Sequence, residues 1–204
     1  MYSHLIFNCS FMCLNIIITS PGAQRGVFKY LRSDTLEWRP AMLLLLLLTF
    51  ITASAADNER DQILQMCTAK NVLQYCSSLG WYRLDGNRCM RSTRTLAPFD
   101  TAEMFCTREG GHLVSINSQA DYTKVLCLLV KDLAYRNLYW IGARKRQGKY
   151  YWINGGGPLT FTQWAPDKPK GSQDDCVEMN FGAWGLWNNQ ACSENRLFVC
   201  EKRG

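Results

Sequence analysis

Six of the cysteines, Cys76, Cys89, Cys106, Cys176, Cys192 and Cys200, punctuate the chain from residue 76 onward, set among aromatics, glycines and short apolar runs. A polypeptide with that punctuation is restricted to folds whose elements can be tied together by cross-links. Ten cysteines in 204 residues are too many for an ordinary cytosolic protein and point to an oxidising compartment. The length suffices for one compact domain plus extensions.

Charge and histidine usage narrow the function classes. A net charge of +6 without a long basic stripe does not describe a general nucleic-acid binder. Of the two histidines, His4 lies in the leader region, and His112, between Gly110-Gly111 and Leu113-Val114, reads as a group that caps or packs at a strand start. Acid–base catalysis and zinc binding both draw on histidine. No nucleophile–base pair is apparent in the sequence, the acids near the candidate site are sparse, and an enzyme is not expected.

The run from Met42 includes six consecutive leucines and ends in Ala53-Ser54-Ala55, a small-x-small pattern for signal cleavage before Ala56. The apolar stretch is shorter than the roughly 20 residues of a membrane span. Residues 42–55 are therefore read as a secretory signal peptide, with no membrane span after processing. The alternative is a type II signal anchor, since Arg25, Lys29, Arg32 and Arg39 precede the run. Residues 1–41 are an uncertain N-terminal extension. Residues 56–75, polar with scattered apolar positions, are read as a stem, too short for a stable helix unless it packs on something.

Within 76–204, Pro98-Phe99-Asp100 opens a helix in which Asp100 can cap and Glu103 can reach back. Gly110-Gly111 can end it. A second helix opens at Ser118, with Tyr122, Leu126, Leu129 and Leu133 forming an apolar stripe; Cys127 lies off the stripe and is expected near the surface. Then come Trp140-Ile141-Gly142, Phe161-Thr162-Gln163-Trp164, Asp174-Asp175-Cys176-Val177-Glu178, Trp187-Asn188-Asn189 and Leu197-Phe198-Val199-Cys200. This ordered set resembles the long-form C-type lectin-like domain, over Cys76 to Lys202. The resemblance implies an α+β fold: two helices, two small antiparallel sheets, a long loop region and disulfide staples. The implied pairs are Cys76–Cys89, Cys106–Cys200 and Cys176–Cys192. Cys67 and Cys127 can pair with each other, Cys67 can bridge two chains through the stem, or either can stay free. A stem cysteine favours the interchain bridge and a disulfide-linked homodimer.

In calcium-dependent members, a Glu-Pro-Asn or Gln-Pro-Asp tripeptide, a glutamate two residues before a cysteine, and Trp-Asn-Asp hold the ion and the sugar. The matching positions here are Lys168-Pro169-Lys170, Asp174 and Asn188-Asn189. An ammonium group has no lone pair for a metal and repels a divalent cation. No metal and no cofactor are expected at this site. Lys168, Pro169, Lys170, Asp174, Glu178, Asn188 and Asn189 become the candidate carbohydrate-binding residues. Glu178 either faces outward beside Asn188 or pairs with Lys168 or Lys170. The family's auxiliary calcium position falls after Gly142, where Arg144, Lys145, Arg146 and Lys149 stand instead. They are read as a solvated loop tip or as a cluster for anionic ligands.

The expected function is that of a secreted, calcium-independent lectin similar to the small lectins of fish mucus and plasma. Its partners would be glycans, galactosides or anionic sugars, and not nucleic acid. The alternative is a lectin-like domain for a protein or anionic polymer ligand, on a type II membrane receptor in one version.

Overall fold

The structure is a computed structural model that describes residues 58–77, 79–132, 136–171 and 175–204; the leader and its cleavage site lie outside the described residues. Helix α1 spans 58–69, α2 Phe99–Arg108 and α3 Gln119–Asp132. The strands are β1 Tyr82–Arg83, β2 Arg88–Ser92, β3 Gly111–Leu113, β4 Tyr139–Arg146, β5 Lys149–Trp152, β6 Gly157–Pro158, β7 Asp175–Met179, β8 Trp187–Ala191 and β9 Leu197–Arg203. No described helix is long and apolar enough to cross a membrane.

A lower antiparallel ladder runs β1–β2–β9–β3. An upper one pairs β4 with β5 and β7, β7 with β8, and β5 with β6. The two expected antiparallel sheets are not separate. Tyr139 and Trp140 of β4 pair in parallel with Leu197 and Phe198 of β9, joining the ladders into one sheet. All four residues are buried, so an unpaired seam would leave backbone groups without partners. Gly142 is required where β4 passes β3, because an added Cβ would lie 2.5 Å from the Leu113 carbonyl oxygen.

The upper core gathers Leu129, Ile141, Trp152, Val177, Met179 and Trp187, and the lower core Trp81, Phe99, Trp140 and Phe198. Disulfides Cys76–Cys89, Cys106–Cys200 and Cys176–Cys192 are all present.

The expected capping box at α2 does not form. Pro98 is the N-cap, with no side-chain cap bond. Asp100 instead pairs with Arg144 at 2.9 Å. Glu103 turns to β3, accepting from the Leu113 N–H at 2.8 Å and meeting His112 Nδ1 at 2.6 Å. A strand edge within reach is the better partner, because it anchors the helix to the sheet.

The segment read as a stem is also corrected. Residues 58–69 are helical, Ile63, Leu64 and Leu73 pack on the upper core, and Arg60 donates to the Val130 carbonyl oxygen at 3.1 Å. Cys67 bonds to Cys127 within the chain, so the interchain bridge through Cys67 and the homodimer built on it are not supported. Cys127 is fully buried, not near the surface. The physical reason is that α3 has two covered faces, one against the sheet and one beneath α1. The run Val125-Leu126-Cys127-Leu128-Leu129-Val130 is buried throughout.

Candidate functional site

Trp187 begins β8 and organises the long loop between β6 and β7. Its ring is fully buried, edge-on to Trp152, Phe161 and Trp164. Its backbone holds the loop in place: Trp187 N–H donates to the Gln163 carbonyl oxygen at 2.7 Å, and Ala165 N–H donates to the Trp187 carbonyl oxygen at 2.8 Å. The tripeptide therefore starts from a fixed base. Trp184, in the connection between β7 and β8, is buried as well and belongs to the upper core.

From that base Lys168, Pro169 and Lys170 run past β8, with the Lys168–Pro169 peptide in the cis form. Lys168 is half-buried, and its Nζ lies 4.8 Å from the Phe181 ring centroid, a cation over an aromatic face. Pro169 and Lys170 are exposed. The Lys170 backbone is clamped by Asn189: its N–H donates to Asn189 Oδ1 at 2.8 Å, and Asn189 Nδ2 donates back to the Lys170 carbonyl oxygen. An amide can do both, whereas the family's aspartate at this position can only accept. Asn189 thus shapes the loop and is not an open ligand group.

Glu178 and Asn188 face each other across β7 and β8. Glu178 does not point outward and does not pair with Lys168 or Lys170. It is fully buried; Oε1 accepts from Asn188 Nδ2 at 2.7 Å, and Oε2 meets Arg196 Nε at 2.6 Å. The guanidinium of Arg196 also lies over the Trp140 ring at 5.7 Å. Strand alternation misled here because β7 is central, between β4 and β8, and every residue of it is buried. Arg196 was missed by sequence reasoning, and no local pattern marks it. It directly precedes β9, and an isolated bridge to Ala97 holds its backbone where the side chain reaches Glu178. Asn188 Oδ1 is buried with no hydrogen-bond partner. Asp174 lies outside the described residues.

Calcium takes six to eight oxygen ligands, several of them anionic. Among the described residues the donors do not fit it. Lys168 and Lys170 bring ammonium groups, the Glu178 carboxylate is neutralised by Arg196, and the Asn189 amide oxygen holds a backbone N–H. Among the described candidate residues, Asn188 Oδ1 is the one buried side-chain oxygen without a hydrogen-bond partner. No cluster of three or more histidine, cysteine, aspartate or glutamate side chains suited to a metal occurs among the described residues.

The four cations after Gly142 do not form a loop. They belong to the β4–β5 hairpin, turned by Gln147-Gly148 with φ values of 49° and 80°, the turn geometry that suits a twisted hairpin. Arg144 is bound to Asp100, and Lys145 lies 3.5 Å from the buried carboxylate of Asp175. Tyr150 OH donates to Asp175 Oδ2 at 3.2 Å; burial, and then the nearby Asp175 charge, push its phenol well above the usual tyrosine range. Arg146 and Lys149 remain exposed at the tip.

The lectin C-type domain profile matches residues 95–202. The chain belongs to this family. C-type lectin domain family 17, member A from Homo sapiens is 33% identical over 61% of this chain, and the match spans only 32% of that longer protein. C-type isolectin Sp-CL4 from Scorpaena plumieri is 31% identical over 59% of this chain and 84% of its own length. Among solved structures, the calcium-independent type II antifreeze protein is 29% identical with a TM-score of 0.52, covering 64% of this chain and 95% of that one. This C-type lectin domain is thus a binding fold.

Proposed function

We propose that the domain is a secreted carbohydrate-binding module that recognises microbial or host glycans without calcium, through the exposed side of the Lys168–Lys170 loop. The observation that carries this is the clamp between Asn189 and the Lys170 backbone. It keeps the loop in a fixed shape through hydrogen bonds of its own, where calcium-dependent members have an ion. Lys168, steadied on Phe181, and the exposed Lys170 then donate hydrogen bonds to sugar hydroxyls or to carboxylate and sulfate groups. Similarity to an isolectin supports glycan recognition, and similarity to a calcium-independent member supports a metal-free site. Four disulfides among the described residues support an extracellular setting.

Glycan-array binding of the mature protein tests this reading. The expected result is a defined set of bound glycans, unchanged by EDTA and weakened about tenfold or more by Lys168→Ala with Lys170→Ala, as for loss of charge-assisted hydrogen bonds. Binding abolished by EDTA would refute the metal-free part. A second reading, a protein ligand on the same face, is favoured by the burial of Glu178 and Asn188, which leaves few polar side chains for sugar hydroxyls. An empty array together with capture of a defined protein partner, lost in the same double variant, would select it.

A further inference from the structure

Among the described residues, cations without carboxylate partners also collect outside the Lys168–Lys170 tripeptide. Arg146 and Lys149 lie directly opposite each other at the end of the β4–β5 hairpin, both exposed and without an ion pair among the described residues. Like charges so placed disfavour the pairing unless an anion joins them. The same situation recurs on the lower ladder, where Arg88 and Arg203 are register partners. Arg88 is compensated by Asp85, Asp121 and Glu201, whereas Arg203 is exposed with no ion pair among the described residues. Beside it the Lys202 ammonium rests on the Trp81 ring at 4.2 Å, also without a carboxylate.

The turn at residues 154–157 links the two pairs. Asn154 lines a cavity of about 710 Å³ together with His112, Lys202 and Arg203. Gly155 and Gly157, on the other side of the turn, line a cavity of about 410 Å³ together with Arg146 and Tyr151. The two hollows therefore flank one turn and carry uncompensated cations on either side of it.

We infer that this surface is a docking track for an anionic polysaccharide, a chain bearing repeated sulfate or carboxylate groups, laid from Arg146 and Lys149 across the 154–157 turn to Lys202 and Arg203. The cations sit on separate elements and do not converge, so no single small anion can satisfy them. A repeating anion can. Single-stranded nucleic acid needs a succession of aromatic platforms for stacking; the half-exposed Tyr151 lines one hollow, but no Phe, Tyr or Trp lines the other, so stacking does not continue along the track. The track does not depend on the Lys168–Lys170 loop.

The test uses heparin oligosaccharides of increasing length as the probe, titrated calorimetrically into the mature protein over a salt series. Affinity should rise with length until both hollows are spanned and fall steeply with salt. Arg146→Glu with Lys149→Glu, and separately Arg203→Glu, should each weaken binding about tenfold or more and flatten the salt dependence by roughly one unit per cation removed. Lys168→Glu with Lys170→Glu, which acts on the loop of the proposed function, should leave the rise of affinity with chain length unchanged. All these side chains but the half-buried Lys168 are exposed, so unfolding midpoints should stay at the wild-type value and report that each variant is folded. Affinity independent of length would overturn the track, as would wild-type binding by the folded Arg146, Lys149 and Arg203 variants. Loss confined to the Lys168 and Lys170 variant would also overturn it, and equally tight binding of an oligonucleotide would overturn the restriction to polysaccharides.

Discussion

Arg88→Met will destabilise the domain by about 3–5 kcal/mol, the range for removing one partner of a buried ion-pair group. Arg88 is the hub of a network between the lower ladder and α3. Its guanidinium meets Asp85 at 2.5 Å, Asp121 at 3.0 Å and Glu201 at 2.8 Å, and also donates to Ser115. The Asp121 and Glu201 side chains are only 8% and 7% exposed, so the variant strands two desolvated carboxylates. Asp85, at 38% exposure, is screened by water and contributes much less. Burial opposes ionisation of Asp85, but hydrogen bonds from the Asn87 N–H and from Arg88 outweigh it and hold the carboxyl below the ordinary aspartate range. A depressed folded value means its contribution is present above the unfolded value and lost as pH falls through the folded one. Urea unfolding at neutral pH provides the check. A loss under about 1 kcal/mol would show that water replaces the guanidinium without penalty.

Cys67→Ser with Cys127→Ser will lower stability by about 4 kcal/mol by the loop-closure estimate for the 60-residue separation, less if the native state relaxes. The loss should be local at first. A helix as short as α1 is marginal alone, and apart from the disulfide its hold is the packing of Ile63 and Leu64 and the hydrogen bond from Arg60 to Val130. Hydrogen exchange of residues 58–69 should therefore approach that of an open chain while β4, β7 and β9 stay protected. Peptide mapping without reduction should recover Cys67 joined to Cys127. Recovery of Cys67 joined to a second copy would contradict the structure.

How much of this was legible in the sequence varies with how local the determinant is. The three family-type disulfides were legible as what the resemblance of the ordered cysteines and tryptophans implies, and all three form. The seat of α1 was not legible. Its polar composition says nothing about a partner surface, although the unbroken apolar run from Val125 to Val130 was a sign that α3 is covered on more than one side. In the candidate site the tripeptide's charge was readable directly. The engagements that decide what that charge can do were not: Asn189 with Lys170, Glu178 with Arg196, Arg144 with Asp100. Each joins a strand residue to a loop or helix residue 18 to 44 positions away through the tertiary fold, which a single sequence leaves open.

A calorimetric titration of calcium into the metal-stripped mature domain bears most directly on the claim that this loop is held by its own side chains. The expected trace is flat, with an unfolding midpoint unmoved by the ion, because any ligand that favours the native state must raise it. Saturable heat with one calcium per chain and a higher midpoint, abolished by Asn188→Ala or Asn189→Ala, would contradict it.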